Sequence, residues 1–291
     1  MIFGDYELAT PNAASLMQSL RAFGYDISTA IADLIDNSIT AQATSISVNF
    51  ELNNGDPWIA IADNGYGMTE AELFEAMKTG SKNPLDERPS DDLGRFGLGL
   101  KTASFSQCKR LTVATKKKGG CVHVRCWDLD VVTVENAWVL LKSASSDANK
   151  LIDEHFELHA NGTIVIWEKL DRIAPGTSIN DEEYQNAFLS YARTVKDHIA
   201  VVFSAYMYGI KKIQFSLNDR SIQMWDPFMS DNSFTTRMPS ESLYVNGYEV
   251  KVKPYILPHQ SKISTEVFNE NAGLHGWNAD MYPVFWTPLK I

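Results

Sequence analysis

Apolar residues recur along this chain on two alternating periods, and the alternation predicts its elements. Ala14, Leu16, Met17, Leu20 and Phe23 fall at helical spacing after Pro11-Asn12, which predicts a helix over residues 11–23. A second helix is predicted over 28–41, with Ile31, Leu34, Ile35 and Ile39 on its apolar sides. Residues 45–50 alternate as a strand, 53–57 turn, and 58–62 return, a hairpin pattern. Thr69 then caps a short helix with Glu70 and Glu72 in its first turn, where the helix dipole favours them. Over residues 79–97 the pattern breaks into prolines, glycines and charges, and a loop that long inside a domain is usually functional or mobile.

A further helix is predicted from near Leu98, followed by strands over 110–115, 122–127, 138–141 and 163–167. Gly119-Gly120 turns the first two of these into a hairpin, and residues 143–150 read as a surface linker. Past Pro175-Gly176 a long helix over 181–206 leads to strands at 213–217 and 250–256, which places a domain boundary near residue 175.

The second helix carries more than a core face. Asp33, Asp36, Asn37 and Thr40 stand at i, i+3, i+4 and i+7, one polar stripe. A merely solvated stripe usually mixes in lysine or arginine, and this one has neither. Asn37 offers a hard oxygen of the kind Mg²⁺ takes while keeping several waters. One turn earlier, Asp33 can take a proton from a water beside a phosphate.

Downstream, the loop Asp63-Asn64-Gly65-Tyr66-Gly67-Met68 closes a predicted strand. Its carboxylate can accept from an exocyclic amine such as that of adenine, and its glycines let backbone approach a flat ring. Taken alone, such a motif is more often an ordinary turn. The segment 94–102 has the Gly94–Gly99 spacing of a Walker loop, but Leu100 intervenes before Lys101-Thr102. A dinucleotide fingerprint fails as well, because Thr102 stands where the third glycine belongs. What remains is a set of glycines freeing backbone N–H groups at a helix start, an anion site by geometry, with Lys101 in the first turn.

Composition narrows the classes. A net charge of −10 disfavours nucleic-acid binding by bulk charge. The basic set Lys109, Arg110, Lys116, Lys117 and Lys118 reads first as the solvated ends of a hairpin. Three cysteines, Cys108, Cys121 and Cys126, have no paired spacing, so they read as buried thiols of a reducing cytoplasm. No apolar run approaches membrane-span or signal length, so the expectation is a cytoplasmic chain (nuclear if eukaryotic) with no membrane partner.

In this order and spacing the three motifs resemble the GHKL ATPase superfamily, which includes the gyrase B subunit, heat-shock chaperones, histidine kinases and MutL. The spellings Ala32-Asp33-Leu34-Ile35-Asp36-Asn37-Ser38 and Gly94-Arg95-Phe96-Gly97-Leu98-Gly99-Leu100-Lys101 are most similar to those of MORC ATPases and their bacterial relatives. The likeness spans about residues 10–170. It implies an α+β fold: a Bergerat sandwich over 1–175, a mixed sheet with helices on one face. A smaller S5-like transducer domain follows over 176–291, short of the strands expected after it, as in a truncated or divergent member.

The resemblance also implies ATP and Mg²⁺ as ligands, with Asp33 as catalytic base and Asn37 as the Mg²⁺ ligand. It places Asp63 on the adenine amine, with Gly65, Gly67 and Met68 against the ring and Thr163 supporting it from a strand. Gly97, Leu98, Gly99, Leu100 and Lys101 would meet the phosphates, and residues 79–94 would form the lid. Two positions depart from the pattern: Asp33 is one methylene shorter than the usual glutamate, and Thr40 replaces an aspartate at the helix end. The family's γ-phosphate lysine is not picked out by any motif; Lys253 and Lys262 are the candidates. The implied activity is ATP binding and slow hydrolysis that drive lid closure and homodimerisation, acting on DNA or a protein client by family analogy. The alternative is a nucleotide-sensing interaction module with an idle Asp33. A histidine kinase is disfavoured, since no helical hairpin bearing a phosphoacceptor histidine precedes the motifs.

Overall fold

The helices of the computed structural model, which describes residues 11–22, 24–79, 99–173, 182–226, 228–245 and 247–267, start where a side chain can accept the first free N–H groups. Helix α1 (Ala13–Leu20) begins at Asn12, whose side chain accepts from the Ser15 N–H. Helix α2 (Ile27–Thr40) begins at Asp26, which accepts from Ser28 and Thr29. Helix α3 (Glu70–Met77) has a complete capping box between Thr69 and Glu72. The short helix α4 (Gly99–Phe105) precedes the central strands.

Strands β1 (Ser45–Glu51), β2 (Trp58–Asp63), β3 (Arg110–Lys116), β4 (His123–Asp128), β5 (Gly162–Glu168), β6 (Gln214–Leu217) and β7 (Arg220–Ser221) form one sheet in the order β4-β3-β5-β2-β1-β6-β7. Every neighbouring pair is antiparallel except β1 with β6, which is parallel, so the sheet is mixed as expected. Helix α2 packs against β2 and is flanked by α4 and by α7 (Glu182–Val202), with Ile31, Leu34 and Ile35 buried. Ala60, Ala62, Ala114, Ile164 and Ile166 point the other way, since alternate strand residues face opposite sides.

That second face is covered by helix α6 (Ser146–Leu158), whose Ala148 and Ile152 join the alanine-rich cluster. The expectation of helices on one face is extended here, and the segment read as a surface linker is instead the first turn of α6. Its signal was present: Ser145 accepts from the Ala148 N–H, and Ala148, Leu151, Ile152 and Phe156 recur at helical spacing among polar residues. Helix α5 (Leu129–Glu135) was likewise not expected, and the strand predicted over 138–141 reduces to a single bridge between Leu141 and Cys126. Cys108 and Cys126 are buried as read, but Cys121 is exposed.

The domain boundary also differs from the one expected near residue 175. The chain divides after Gln223, into 1–223 and 224–291. Helix α7 buries Tyr184, Phe188, Val195 and Ile199, Phe188 meets Phe50 of β1 edge-on at 5.4 Å, and β6 extends the sheet beside β1. Pro175-Gly176 thus precedes an element of the first unit. The Asn218-Asp219 turn, with both φ values positive (46° and 60°), is the tight reversal between β6 and β7. Within the second unit, β9 (Glu241–Val245) pairs with β10 (Tyr248–Val252), and β8 (Thr236–Arg237) with β11 (Tyr255–Ile256). There Phe228 stacks on Tyr255 at 4.5 Å, and the Lys262 ammonium lies over the Phe234 ring. Among the described residues no helix is long and apolar enough to cross a membrane.

Ile35 is fully buried on the side of α2 opposite its polar stripe. Ile35→Ala is expected to destabilise the chain by about 2–5 kcal/mol, read as a lowered urea midpoint with an unchanged slope. A loss below about 1 kcal/mol would show that the core beneath α2 is not packed as described.

Candidate functional site

Three side chains stand in a row across the centre of the sheet. Asp63 ends β2 and pairs in register with Thr163 of β5, which in turn pairs with Thr115 of β3. The Asp63 carboxylate is buried, and its oxygens accept from the Ser38 hydroxyl (2.8 Å), the Gly65 N–H (2.8 Å) and the Thr163 backbone N–H. Burial raises its pKa above the ordinary aspartate value, and these three donors, with His159 nearby, oppose the rise. Ser38 closes the Asp-Asn-Ser motif of α2, so the helix that carries the polar stripe also braces this carboxylate.

The loop after Asp63 is pinned on every side. Asn64 Oδ1 accepts from the backbone of Thr44 and Ser45, Tyr66 donates to the Ala41 carbonyl, and Asn161 Nδ2 donates to the carbonyls of Asn64 and Gly65. Met68 N–H donates to the Thr115 hydroxyl at 2.9 Å. A Cβ on Gly65 would stand 2.7 Å from the Ala41 carbonyl, and one on Gly67, where φ is +66°, 2.1 Å from that of Lys116. Gly162, with φ +141°, would put a Cβ 2.0 Å from the Asp63 carbonyl. The protein's own packing therefore demands these glycines, a different reason from ring approach alone.

On α2, Asp33 is half-buried and Asn37 exposed, one helical turn apart. Asp33 Oδ2 lies 3.6 Å from where a Cβ on Gly99 would stand, so the start of α4 abuts the carboxylate. The Tyr25 hydroxyl donates to Asp33, and Thr102 of α4 is hydrogen-bonded to Tyr25. Burial raises the Asp33 pKa, the Tyr25 hydrogen bond lowers it, and the neighbouring charge of Asp36 raises it; the net shift is upward. The side-chain amide of Asn37 has no hydrogen-bond partner among the described residues. Its free oxygen fits a cation held mostly by phosphate and water; no cluster of three acidic, histidine or cysteine ligands occurs among the described residues.

Lys101 goes elsewhere. It is buried, and its Nζ donates to the carbonyls of Ala76 (2.8 Å) and Lys78 (3.0 Å) at the end of α3. A cation suits a helix C-terminus, and four buried methylenes suit the core. The ammonium expected at the phosphates is held here by carbonyls at the end of α3. Gly99 and Leu100 open α4, while Gly97, Leu98 and all of the expected lid but Thr79 lie outside the described residues. The basic set is largely engaged: Lys109 with Asp171, Arg110 with Asp128 and Glu168, Lys117 with Glu72, and Lys116 over the Phe156 ring. Ser38, Thr115, Asn161 and Tyr25 were missed as site residues; only Ser38 and Asn161 had a sequence signal, Ser38 next to Asn37 and Asn161 two residues before Thr163.

Residues 25–163 match the family described as Histidine kinase-, DNA gyrase B-, and HSP90-like ATPase. Those residues belong to the GHKL ATPase superfamily. The match begins at Tyr25 and ends at Thr163, so it spans both ends of the site just described. Relatives include ATPase MORC2B of Mus musculus, 27% identical over 81% of this chain and 23% of that protein. ATPase morc-1 of Caenorhabditis elegans is 33% identical over 31% of this chain and 10% of that protein. The DNA mismatch repair protein MutL of Rickettsia canadensis is 30% identical over 31% and 15%. The chain thus spans no more than 23% of the length of these relatives. The GHKL match supports ATP as the ligand of the site.

The glycines of the GHKL domain separate fold from ligand. Gly67→Ala places a methyl into the Lys116 carbonyl at positive φ and is expected to cost about 1–3 kcal/mol or more in urea denaturation. Gly99→Ala, at the first residue of α4, meets among the described residues an ordinary contact with Asp33, and is expected to leave stability unchanged or raised by up to about 1 kcal/mol. Equal losses in both variants would contradict this division.

Proposed function

We propose that this chain binds ATP with Mg²⁺ and hydrolyses it slowly, using binding and hydrolysis to drive closure and homodimerisation on a DNA or protein client. The observation that carries the reading is the single helix α2, which braces the buried Asp63 through Ser38 while presenting Asp33 and Asn37 along its polar stripe. One end of that helix therefore addresses a base with an exocyclic amine, and the stripe addresses phosphates.

Asp63 accepts from the adenine amine, and Asn37 holds the cation through its carboxamide oxygen. Bound Mg²⁺ supplies charge neutralisation on the phosphates. Asp33 takes a proton from a water as the water oxygen bonds to the γ-phosphorus and the bond to the ADP oxygen breaks. The raised pKa makes Asp33 a stronger base, and the close approach of Gly99 offsets its shorter side chain. Tyr25 positions the carboxylate and favours its ionised form. Dimerisation and the client rest on the likeness to MORC and MutL proteins.

Asp33→Asn is expected to lower Mg²⁺-dependent phosphate release by about 10²–10⁴-fold while ATP binding persists. Tyr25→Phe removes a hydrogen bond that lowers the Asp33 pKa, so the acid limb of the pH–rate profile moves to higher pH. Affinity for ATP itself falls on acidification through the raised pKa of Asp63, because protonation converts an acceptor into a donor; the loss sets in above the ordinary range near about 3.9. A non-hydrolysable ATP analogue is expected to shift the chain from monomer to dimer in size measurement. Stoichiometric ATP binding with no phosphate release, unchanged in Asp33→Asn and Asp33→Glu, would leave a nucleotide-sensing module instead.

A further inference from the structure

We propose that Thr115, a buried residue distant in sequence from the motif loops, sets the hydrogen-bonding polarity of the proposed base site and so helps discriminate 6-amino from 6-oxo purines. This rests on the ATP reading of the same site. Thr115 is fully buried, and its hydroxyl oxygen has three neighbours. The Met68 N–H donates to it at 2.9 Å, the Gly162 carbonyl lies at 3.0 Å, and Thr163 Oγ1 lies at 2.9 Å.

A threonine hydroxyl has one proton and two lone pairs. The Gly162 carbonyl can only accept, so the single Thr115 proton is spent there. The contact with Thr163 must then be filled by the Thr163 proton, donated to Thr115. Thr163 is only half-buried, and towards the pocket its oxygen has lone pairs alone to offer. Asp63 beside it is also an acceptor, already supplied with donors by Ser38, Gly65 and the Thr163 backbone. The pair of side chains at the pocket floor therefore presents no proton.

An amine, or a water that turns both hydrogens inward, satisfies such a floor. A 6-oxo group sets its own lone pairs against two acceptors, and a mismatched polar edge is where recognition sites discriminate most. Replacing Thr115 by valine keeps the β-branched shape and frees the Thr163 proton to turn outward. Thr163 then becomes able to donate to a carbonyl.

The test is the ratio of dissociation constants for inosine and adenosine triphosphates, measured by calorimetry with Mg²⁺ on the whole chain. Wild type is expected to favour ATP. Thr115→Val is expected to lower the ratio by about three- to tenfold, and Thr115→Ser, which keeps the hydroxyl, to retain it. Thr163→Val gives a second reading that leaves Thr115 intact: removing an acceptor raises the relative affinity for inosine triphosphate, whereas removing a donor lowers it. An unchanged ratio in Thr115→Val, equal weakening for both nucleotides, or a lower relative affinity for inosine triphosphate in Thr163→Val overturns the proposal. If wild type binds ATP and the ratio does not move, only this inference fails. If wild type binds neither nucleotide, the ATP reading fails with it.

Discussion

A carboxylate held almost out of water at the end of a central strand is costly unless the chain supplies its donors. Asp63 is in that position, and much of the surrounding architecture is arranged around it. Its pKa is raised, so the ionised form destabilises the folded chain at neutral pH, and that cost is relieved as pH falls through the folded pKa. The donors that limit the cost come from three elements: Ser38 from α2, Gly65 from the loop and Thr163 from β5. Moving any of these elements by an ångström would strand a charge. The relative placement of helix, loop and strand is thereby tied to one side chain.

Helix α2 transmits that constraint to the rest of the site. Its apolar residues are buried against the sheet and between α4 and α7, which leaves it little freedom to slide or rotate. Asp33 and Asn37 then sit at a fixed distance along the axis from Ser38, about one turn or less per step at 1.5 Å per residue. The inclusion of α7 and β6 in the same unit matters here, because α7 supports the flank of α2. A boundary at residue 175 would have left that flank exposed.

Most of this framework was legible in the sequence, for physical reasons that differ by element. Helix α2 was legible because an apolar face and a lysine-free polar stripe share one period, and β2 because its strand pattern ends at Asp63-Asn64-Gly65. Helix α6 was obscured because its apolar positions are diluted by polar neighbours, so its helical spacing and serine cap are a weak signal. Thr115 was illegible in principle: a β-branched residue in a strand is ordinary, and its meaning depends on the register between β3 and β5. The register is set by pairing across some 48 residues of intervening chain. The cap made by Lys101 was illegible because position in a first helical turn does not fix which way four methylenes extend, and the carbonyls ending α3 offered a buried partner.

The glycines carry the last step. Gly65, Gly67 and Gly162 are glycines because neighbouring backbone fills the space a Cβ would need. A loop shaped by such contacts before any nucleotide arrives has little ordering left to do on binding, and ordering cost is what most weakens an otherwise complementary site. Gly99 is different: among the described residues a Cβ there would meet Asp33 alone, at an ordinary 3.6 Å. If the chain nonetheless needs a glycine at that place, the need comes from outside these residues. The same loop-and-helix layout therefore holds glycines whose space is filled by neighbouring backbone and, at Gly99, one beside which the described residues leave ordinary room for a Cβ.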